Sequence, residues 1–216
     1  MSEGAAPDRS GASAVAGVLL AGGSSQRFGP ENKLLADADG RPLIARVAAR
    51  LARSRVREVV VVTGPDRSEI EQALRGSELR FVHNPDHQAG MGRSIAVGVG
   101  SLGPNTHGAL ICPGDMPEVS PELIDKLIGV FEQNGAVAIV YPALPDGSQR
   151  NPVLWPRRFF PRLTALDGAA GGKPLLAELA TETVAVQVAE GRNFLDIDTL
   201  DDLVRYRQKL RAMHGR

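Results

Sequence analysis

The sequence predicts an α/β fold: a mostly parallel sheet with helices on both faces. Apolar runs alternate with segments of helical spacing about once every 25 to 30 residues, the pattern of repeated βαβ units. One run, Val59-Val60-Val61-Val62, is continuously β-branched, as suits a parallel strand buried on both faces. Glycines and an aspartate stand just past the ends of two predicted strands. In such sheets, ligands bind beyond the carboxyl ends of the strands. Crossovers between parallel strands are expected to be right-handed.

Taken in order, Gly17 to Leu20 reads as a short buried strand that runs into Gly22-Gly23-Ser24-Ser25-Gln26-Arg27. Leu34-Leu35 and Pro42-Leu43-Ile44 flank a polar turn at Asp39-Gly40. Ile44 to Leu51 has helical spacing, with Ile44, Val47, Ala48 and Leu51 on one face. The strand Val59–Val62 ends at Thr63-Gly64-Pro65-Asp66, and Ser68 to Leu74 reads as a helix. Leu79 to Val82 is a third strand, closed by Asn84-Pro85. Gly90-Met91-Gly92-Arg93-Ser94-Ile95 leads into a helix through about Val99. A fourth strand, Ala109 to Cys112, ends in Pro113-Gly114-Asp115-Met116-Pro117. Ser120 caps a helix through Phe131 with Pro121 in its first turn, and Val137 to Tyr141 is a further strand.

The stretch from Gly17 to Lys33 carries the chemistry. Glycines at a strand end let a ligand approach the backbone amides, and successive N–H groups with serine hydroxyls suit phosphate oxygens. Arg27 adds a fork of donors and Lys33 a point charge. The same stretch also reads as a tight turn with solvated cations. It is neither a P-loop, since no Gly-Lys pair follows at that spacing, nor a dinucleotide fingerprint, since Gly22 and Gly23 are adjacent. Glycines at Gly90 and Gly92 offer amides to an anion or a base, or form an ordinary helix start. Asp115 is placed to hold a magnesium ion against phosphates, or is a turn aspartate.

Composition narrows the classes. Lys plus Arg and Asp plus Glu number 25 each, so a broad nucleic-acid surface is not expected. Cys112 is the single cysteine, which excludes an internal disulfide and suits a cytoplasmic protein. No apolar run approaches the roughly 18 residues of a membrane span. Residues 1–14, rich in Gly, Ala and Ser, are expected to be a disordered tail rather than a secretory signal, ahead of one domain over 15–210. His83, His87, His107 and His214 show no metal-ligand spacing and read as structural or exposed.

Together these stretches resemble the molybdenum cofactor nucleotidyltransferases, with a MobA-like NTP transferase domain, from about Val15 to Leu203. The resemblance rests on Leu20-Ala21-Gly22-Gly23, Arg27-Phe28-Gly29, Lys33, Gly90-Met91-Gly92-Arg93-Ser94 and Gly114-Asp115-Met116-Pro117. It continues in Arg150-Asn151-Pro152-Val153-Leu154-Trp155, in Gly168, Gly171 and Leu175-Leu176, and in Asp196-Ile197-Asp198-Thr199 with Asp202-Leu203.

That resemblance implies a Rossmann-like three-layer α/β/α sandwich of the nucleotide-diphospho-sugar transferase type. It also implies Mg²⁺-dependent transfer of a nucleoside monophosphate to the phosphate of molybdopterin, with release of pyrophosphate. Leu20, Ala21, Gly22, Gly23, Gly90 and Ser94 are then expected at the nucleotide, and Arg27 and Lys33 at its phosphates. Asp115 is expected to hold the metal with Asp198, although a helix N-terminus accounts for most of the crowded acids from Asp196 to Asp202. Arg150 and Asn151 are expected near the acceptor, or in a hairpin-like excursion with Trp155 in a core. Lys173 is in reach of an acceptor phosphate or is a plain surface lysine.

The acceptor phosphate is already a nucleophile at neutral pH, so alignment and charge neutralisation are expected to carry catalysis. Transfer to a sugar or polyol phosphate, and a chaperone that binds the cofactor without turnover, are the alternatives. A recipient molybdoenzyme or its chaperone is a further expected partner. Gly22-Gly23 and the Gly29–Lys33 spacing are guanylyl-like, whereas the later motifs are cytidylyl-like. CTP is therefore expected as the better donor, with GTP also used because Gly22 leaves room for a purine.

Overall fold

A computed structural model describes residues 13–23, 28, 32–189 and 194–214. The strands are β1 (Val15–Ala21), β2 (Glu58–Thr63), β3 (Arg80–His83), β4 (Gly108–Pro113), β5 (Ile139–Ala143), β6 (Val153–Pro156) and β7 (Thr183–Gln187). They form one sheet of order β3-β2-β1-β4-β6-β5-β7. All run parallel except β6, which is antiparallel to both β4 and β5. β1 is apolar and buried along its whole length, because neighbours flank it on both edges and helices cover both faces.

Alternation along β1 divides the core. Leu19 and Ala21 face the layer of α1 (Leu43–Ala52), α2 (Arg67–Ala73) and α4 (Pro121–Gln133), packing with Val47, Ile70, Leu123 and Leu127. Val18 and Leu20 face α3 (Met91–Gly100), α5 (Phe160–Thr164) and α6 (Lys173–Glu178), with Ile95, Val99, Leu163 and Leu175. The fold is thus the expected three-layer sandwich. A third cluster seats α7 (Leu200–His214) through Leu203, Tyr206 and Leu210 against Leu43, Phe28 and Ile197.

Several expectations hold to within a residue or two, and Ser120 caps α4 by accepting from Leu123 N–H at 3.2 Å. One strand boundary differs. β5 begins at Ile139 rather than Val137, because Gly135 and Ala136 both take positive φ and Val137 is left 54% exposed. Ser13 and Ala14, the end of the expected tail, are among the described residues. Ser13 is buried, its hydroxyl donating to Arg55 O at 3.1 Å and accepting from Val15 N–H at 3.2 Å. The rest of that expectation, residues 1–12, lies outside the described residues. α7 continues to His214, past the expected boundary at 210.

The stretch after β5 folds back as a hairpin. Asp146 accepts from Ser148 N–H at 2.8 Å, Gly147 takes φ +81°, and Arg150 N–H donates to Pro142 O at 2.8 Å. β6 then inserts between β4 and β5 and buries Trp155 to 2% exposure, edge-on to Phe159. Among the described residues, no helix is long and apolar enough to cross a membrane.

α3 lies close to the sheet at Gly98, where an added Cβ would sit 2.5 Å from Val18 Cγ1 and 2.8 Å from Val62 Cγ2. Gly98→Ala therefore overpacks two stiff side chains, at about 1–3 kcal/mol, against a helix-propensity gain of at most about 1 kcal/mol. Urea unfolding should show a lower midpoint with an unchanged slope. A raised midpoint would mean that α3 can lift off the sheet without cost.

Candidate active site

The site lies at the carboxyl ends of β1 and β4, which are adjacent and in register from Val15↔Gly108 to Leu20↔Pro113. After β1 the chain passes Gly22 and Gly23, and a short 3₁₀ turn carries Lys33 to Leu35. Asn32 caps that turn, accepting from Leu34 N–H at 2.9 Å while donating to Asp66 at 2.7 Å. This bracing fixes the base of Lys33. Arg27, with Ser24, Ser25 and Gln26, lies outside the described residues.

Asp115 follows β4. Gly114 before it must be glycine, since a Cβ there would lie 2.8 Å from Leu20 O and 2.8 Å from Ile44 Cδ1. Its N–H donates to Leu20 O at 3.0 Å, so the turn bearing Asp115 is tied directly to β1. Asp198 arrives from the other end of the chain. Ile197 is fully buried, and its N–H donates to Asp115 O at 3.1 Å.

Lys33 Nζ lies between the two carboxylates, 2.6 Å from Asp115 Oδ2 and 2.8 Å from Asp198 Oδ1. Burial alone would lower the lysine's pKa, but the charges and hydrogen bonds of Asp115 and Asp198 outweigh it and hold it above the ordinary value. Asp196 is exposed as a residue, yet loss of water around its carboxyl and the charges of Asp115 and Asp198 push it up to about 6. Cys112 beneath is fully buried, and burial together with Asp115 and Asp196 pushes its thiol far up, which leaves it inert.

The residues suit a hard divalent cation. Asp115 and Asp198 offer only oxygen, and the oxygens that meet do so at the Lys33 ammonium, which a bound cation would share or replace as their partner. Among the described residues, no group of three or more His, Cys, Asp and Glu is arranged for a metal; phosphate oxygens and water are ordinary further ligands for such an ion.

These groups lie at a cleft of about 870 Å³ lined by Leu20, Gly22, Gly23, Lys33, Gly90, Ser94, Asp115 and Asp198. Ala21 stands at the end of buried β1, and Arg150 and Asn151 lead into β6. Lys173 is exposed at the start of α6. None of these four lines the cleft.

Two glycine readings change. A Cβ on Gly22 would meet Ser94 Oγ at 3.1 Å, so the missing side chain makes room for Ser94 rather than directly for a base. Gly92 N–H is already bonded to Gly168 O at 2.9 Å, and Cβ atoms on Gly90 and Gly92 would each strike backbone of residues 167–169 at 2.5 Å. Met91, within the Gly90–Ser94 motif, also lines the cleft, as do His87, Gln88 and Ala169, which no local sequence signal placed there.

The fold and the family match are those of a nucleotidyltransferase. Residues 17–184 match the MobA-like NTP transferase domain, and the chain belongs to that family. It is 31% identical to the probable molybdenum cofactor guanylyltransferase of Haloferax mediterranei, over 87% of this chain and 90% of that one. It is 24% identical to the molybdenum cofactor guanylyltransferase of Vibrio parahaemolyticus, over 88% and 94%. The fold matches that of Rv0371C from Mycobacterium tuberculosis, solved in complex with manganese, at TM-score 0.73 and 24% identity over 90% of this chain and 98% of that one.

Asp198 is held by a capping box at the start of α7. Asp202 accepts from Asp198 N–H at 3.2 Å, Thr199 N–H at 2.9 Å and the Thr199 hydroxyl at 2.7 Å, while Thr199 Oγ1 accepts from Asp202 N–H at 3.2 Å. The Thr199 and Arg205 contacts pull Asp202 down to about 2. Asp202→Ala should cost about 1 kcal/mol of stability near neutral pH. Because the folded-state pKa is depressed, that contribution is present above about pH 4 and is lost as pH falls toward 2. Denaturant midpoints of both proteins from pH 7 to pH 3 should converge as pH falls. A gap that widens in acid would show that Asp202 acts otherwise than as an ionised cap.

Proposed function

We propose that the protein transfers a nucleoside monophosphate from a nucleoside triphosphate to the phosphate of molybdopterin, releasing pyrophosphate. The meeting of Lys33, Asp115 and Asp198 at a glycine-walled cleft carries this reading. The names of the curated relatives support the acceptor.

In the reaction, an oxygen of the acceptor phosphate bonds to the α-phosphorus as the bond to the bridging oxygen breaks, and the electron pair leaves on pyrophosphate. The attacking oxygen is already anionic, so no side chain need take a proton. The backbone of Leu20, Gly22 and Gly23, with Gly90 and Ser94, holds the nucleoside. Lys33, and Arg27 beside it in sequence, offset charge on the phosphates. Asp115 and Asp198 would hold Mg²⁺ or a similar divalent cation, which when bound supplies charge stabilisation at the phosphates. Arg150, whose charge reaches Asp196, and Asn151 are the residues we assign to the acceptor. The single cysteine, Cys112, supports a reducing, cytoplasmic setting for this reaction.

We take GTP as the donor, because the relatives named above are guanylyltransferases and Leu20-Ala21-Gly22-Gly23 is the guanylyl form of the loop. CTP is the second reading, favoured by Gly90-Met91-Gly92-Arg93-Ser94, which contributes Gly90, Met91 and Ser94 to the cleft wall. In a competition at equal concentrations with molybdopterin, kcat/KM for GTP should exceed that for CTP. A clear CTP preference would reverse the base assignment and leave the reaction class standing. No pyrophosphate from either would remove the class itself.

Asp115→Ala should lower turnover about a hundredfold or more by loss of charge stabilisation. Lys33→Ala should weaken triphosphate binding and slow the chemical step together, with only partial rescue by Lys33→Arg because the guanidinium differs in shape from a point charge. Steady-state rates at saturating metal test both. Near-normal rates in either alanine variant would remove that residue from the machinery.

A further inference from the structure

We propose that Asn84 is a positioning residue for nucleoside recognition: it fixes the Ser94 hydroxyl so that its proton points into the cleft. The proposal rests on the reading of that cleft as a nucleotide site.

Asn84 directly follows β3, where the sequence suggests no more than the end of a strand. It is 0% exposed, and a polar side chain so buried must have its bonding groups matched. Its Oδ1 accepts from Asp86 N–H at 3.0 Å, and its Nδ2 donates to Ser94 Oγ at 3.0 Å. The first bond settles the amide orientation, because a backbone N–H can only donate. The group facing Ser94 is therefore the NH₂, and Ser94 Oγ is the acceptor.

Ser94 itself is 5% exposed and lies on α3 at the cleft wall. A hydroxyl has one proton to give. Within a helix that proton commonly goes to a carbonyl one turn back, yet among the described residues Asn84 is the only hydrogen-bonding partner of the Ser94 side chain. With Asn84 occupying a lone pair, the proton is directed to an acceptor in the cleft. Gly22 faces the same oxygen, where a Cβ would crowd it at 3.1 Å. The ligand group this arrangement fits is a carbonyl, ring nitrogen or hydroxyl oxygen of the nucleoside rather than a phosphate, because the Ser94 hydroxyl is a neutral donor and Lys33, a charged one, lines the same cleft.

Asn84→Asp tests the mechanism, because it keeps the size and the bond from Asp86 N–H while turning the group that faces Ser94 into an acceptor. The Ser94 proton is then drawn inward. Calorimetric titration at pH 8 with magnesium and without acceptor would measure GTP, CTP and pyrophosphate binding to wild type, Asn84→Asp, Ser94→Ala and the double variant, with melting temperatures recorded.

For the better-bound nucleotide, each single variant should weaken Kd about tenfold, and the double variant should be no weaker than Ser94→Ala. Pyrophosphate, which lacks the nucleoside, should bind all four equally; a loss of pyrophosphate binding in Asn84→Asp would show a general structural role and overturn the proposal. Unchanged nucleotide binding in Asn84→Asp, or losses that multiply in the double variant, would overturn it as well. If Asn84→Asp does not fold, Asn84→Ala serves: a several-fold loss that vanishes in the Ser94→Ala background supports the proposal, and a loss that persists there overturns it. Failure of wild type to bind any nucleotide would instead refute the nucleotide site on which the inference rests.

Discussion

Lys33 holds together two carboxylates that the chain delivers from distant stretches, Asp115 at 2.6 Å and Asp198 at 2.8 Å. Asp196 stands close enough for its carboxyl to feel both charges. Three acids in one corner repel one another, and the ammonium offsets that repulsion. The arrangement requires β1 and β4 to be neighbours, because one leads toward the lysine and the other ends at Asp115. It also requires α7 to be seated, since its capping box and the buried Ile197 hold Asp198 in place. Placement of α7 by the cluster around Tyr206 is thus coupled to the charge balance at the sheet edge.

The glycines around the cleft act mainly through close approach of backbone to backbone. Gly64 sits so near Gly22 that a Cβ would fall 2.6 Å from Gly22 O. Gly114 is pressed on Leu20 O, and Gly90 and Gly92 on the segment from Asp167 to Ala169. Each crossing brings a loop from a different unit of the fold against the next, and the wall of the cleft is the result. A glycine-rich stretch at a strand end can therefore signal a ligand site indirectly, by letting the loops that form the site touch.

The far half of the sheet follows different logic. β6 enters antiparallel between β4 and β5 after the hairpin at Gly147, and it carries Trp155 into the layer with α5 and α6. That layer supports α3, whose first turns carry Gly90 and Ser94. The apolar end of the chain's second half thus stiffens a wall of the cleft from behind.

The sequence by itself determined the α/β class, β1 through β4 with their helices, the capping of α4, and the candidates Lys33 and Asp115. These are legible because they rest on local rules: β-branched runs, helical spacing, cap residues and glycines at strand ends. Trp155 was open between a core and an acceptor site, and its burial in β6 is a fact of tertiary packing. Asp198 was expected beside Asp115 through the family resemblance, and only the tertiary structure showed that both pair with Lys33. It also decided that Gly22 faces Ser94, that Asn84 orients Ser94, and that His87 and Gln88 reach the cleft. The physical reason is the same in each case. These relations join residues far apart in the chain or depend on the direction of a side chain, and neither is set until the strands have taken their order.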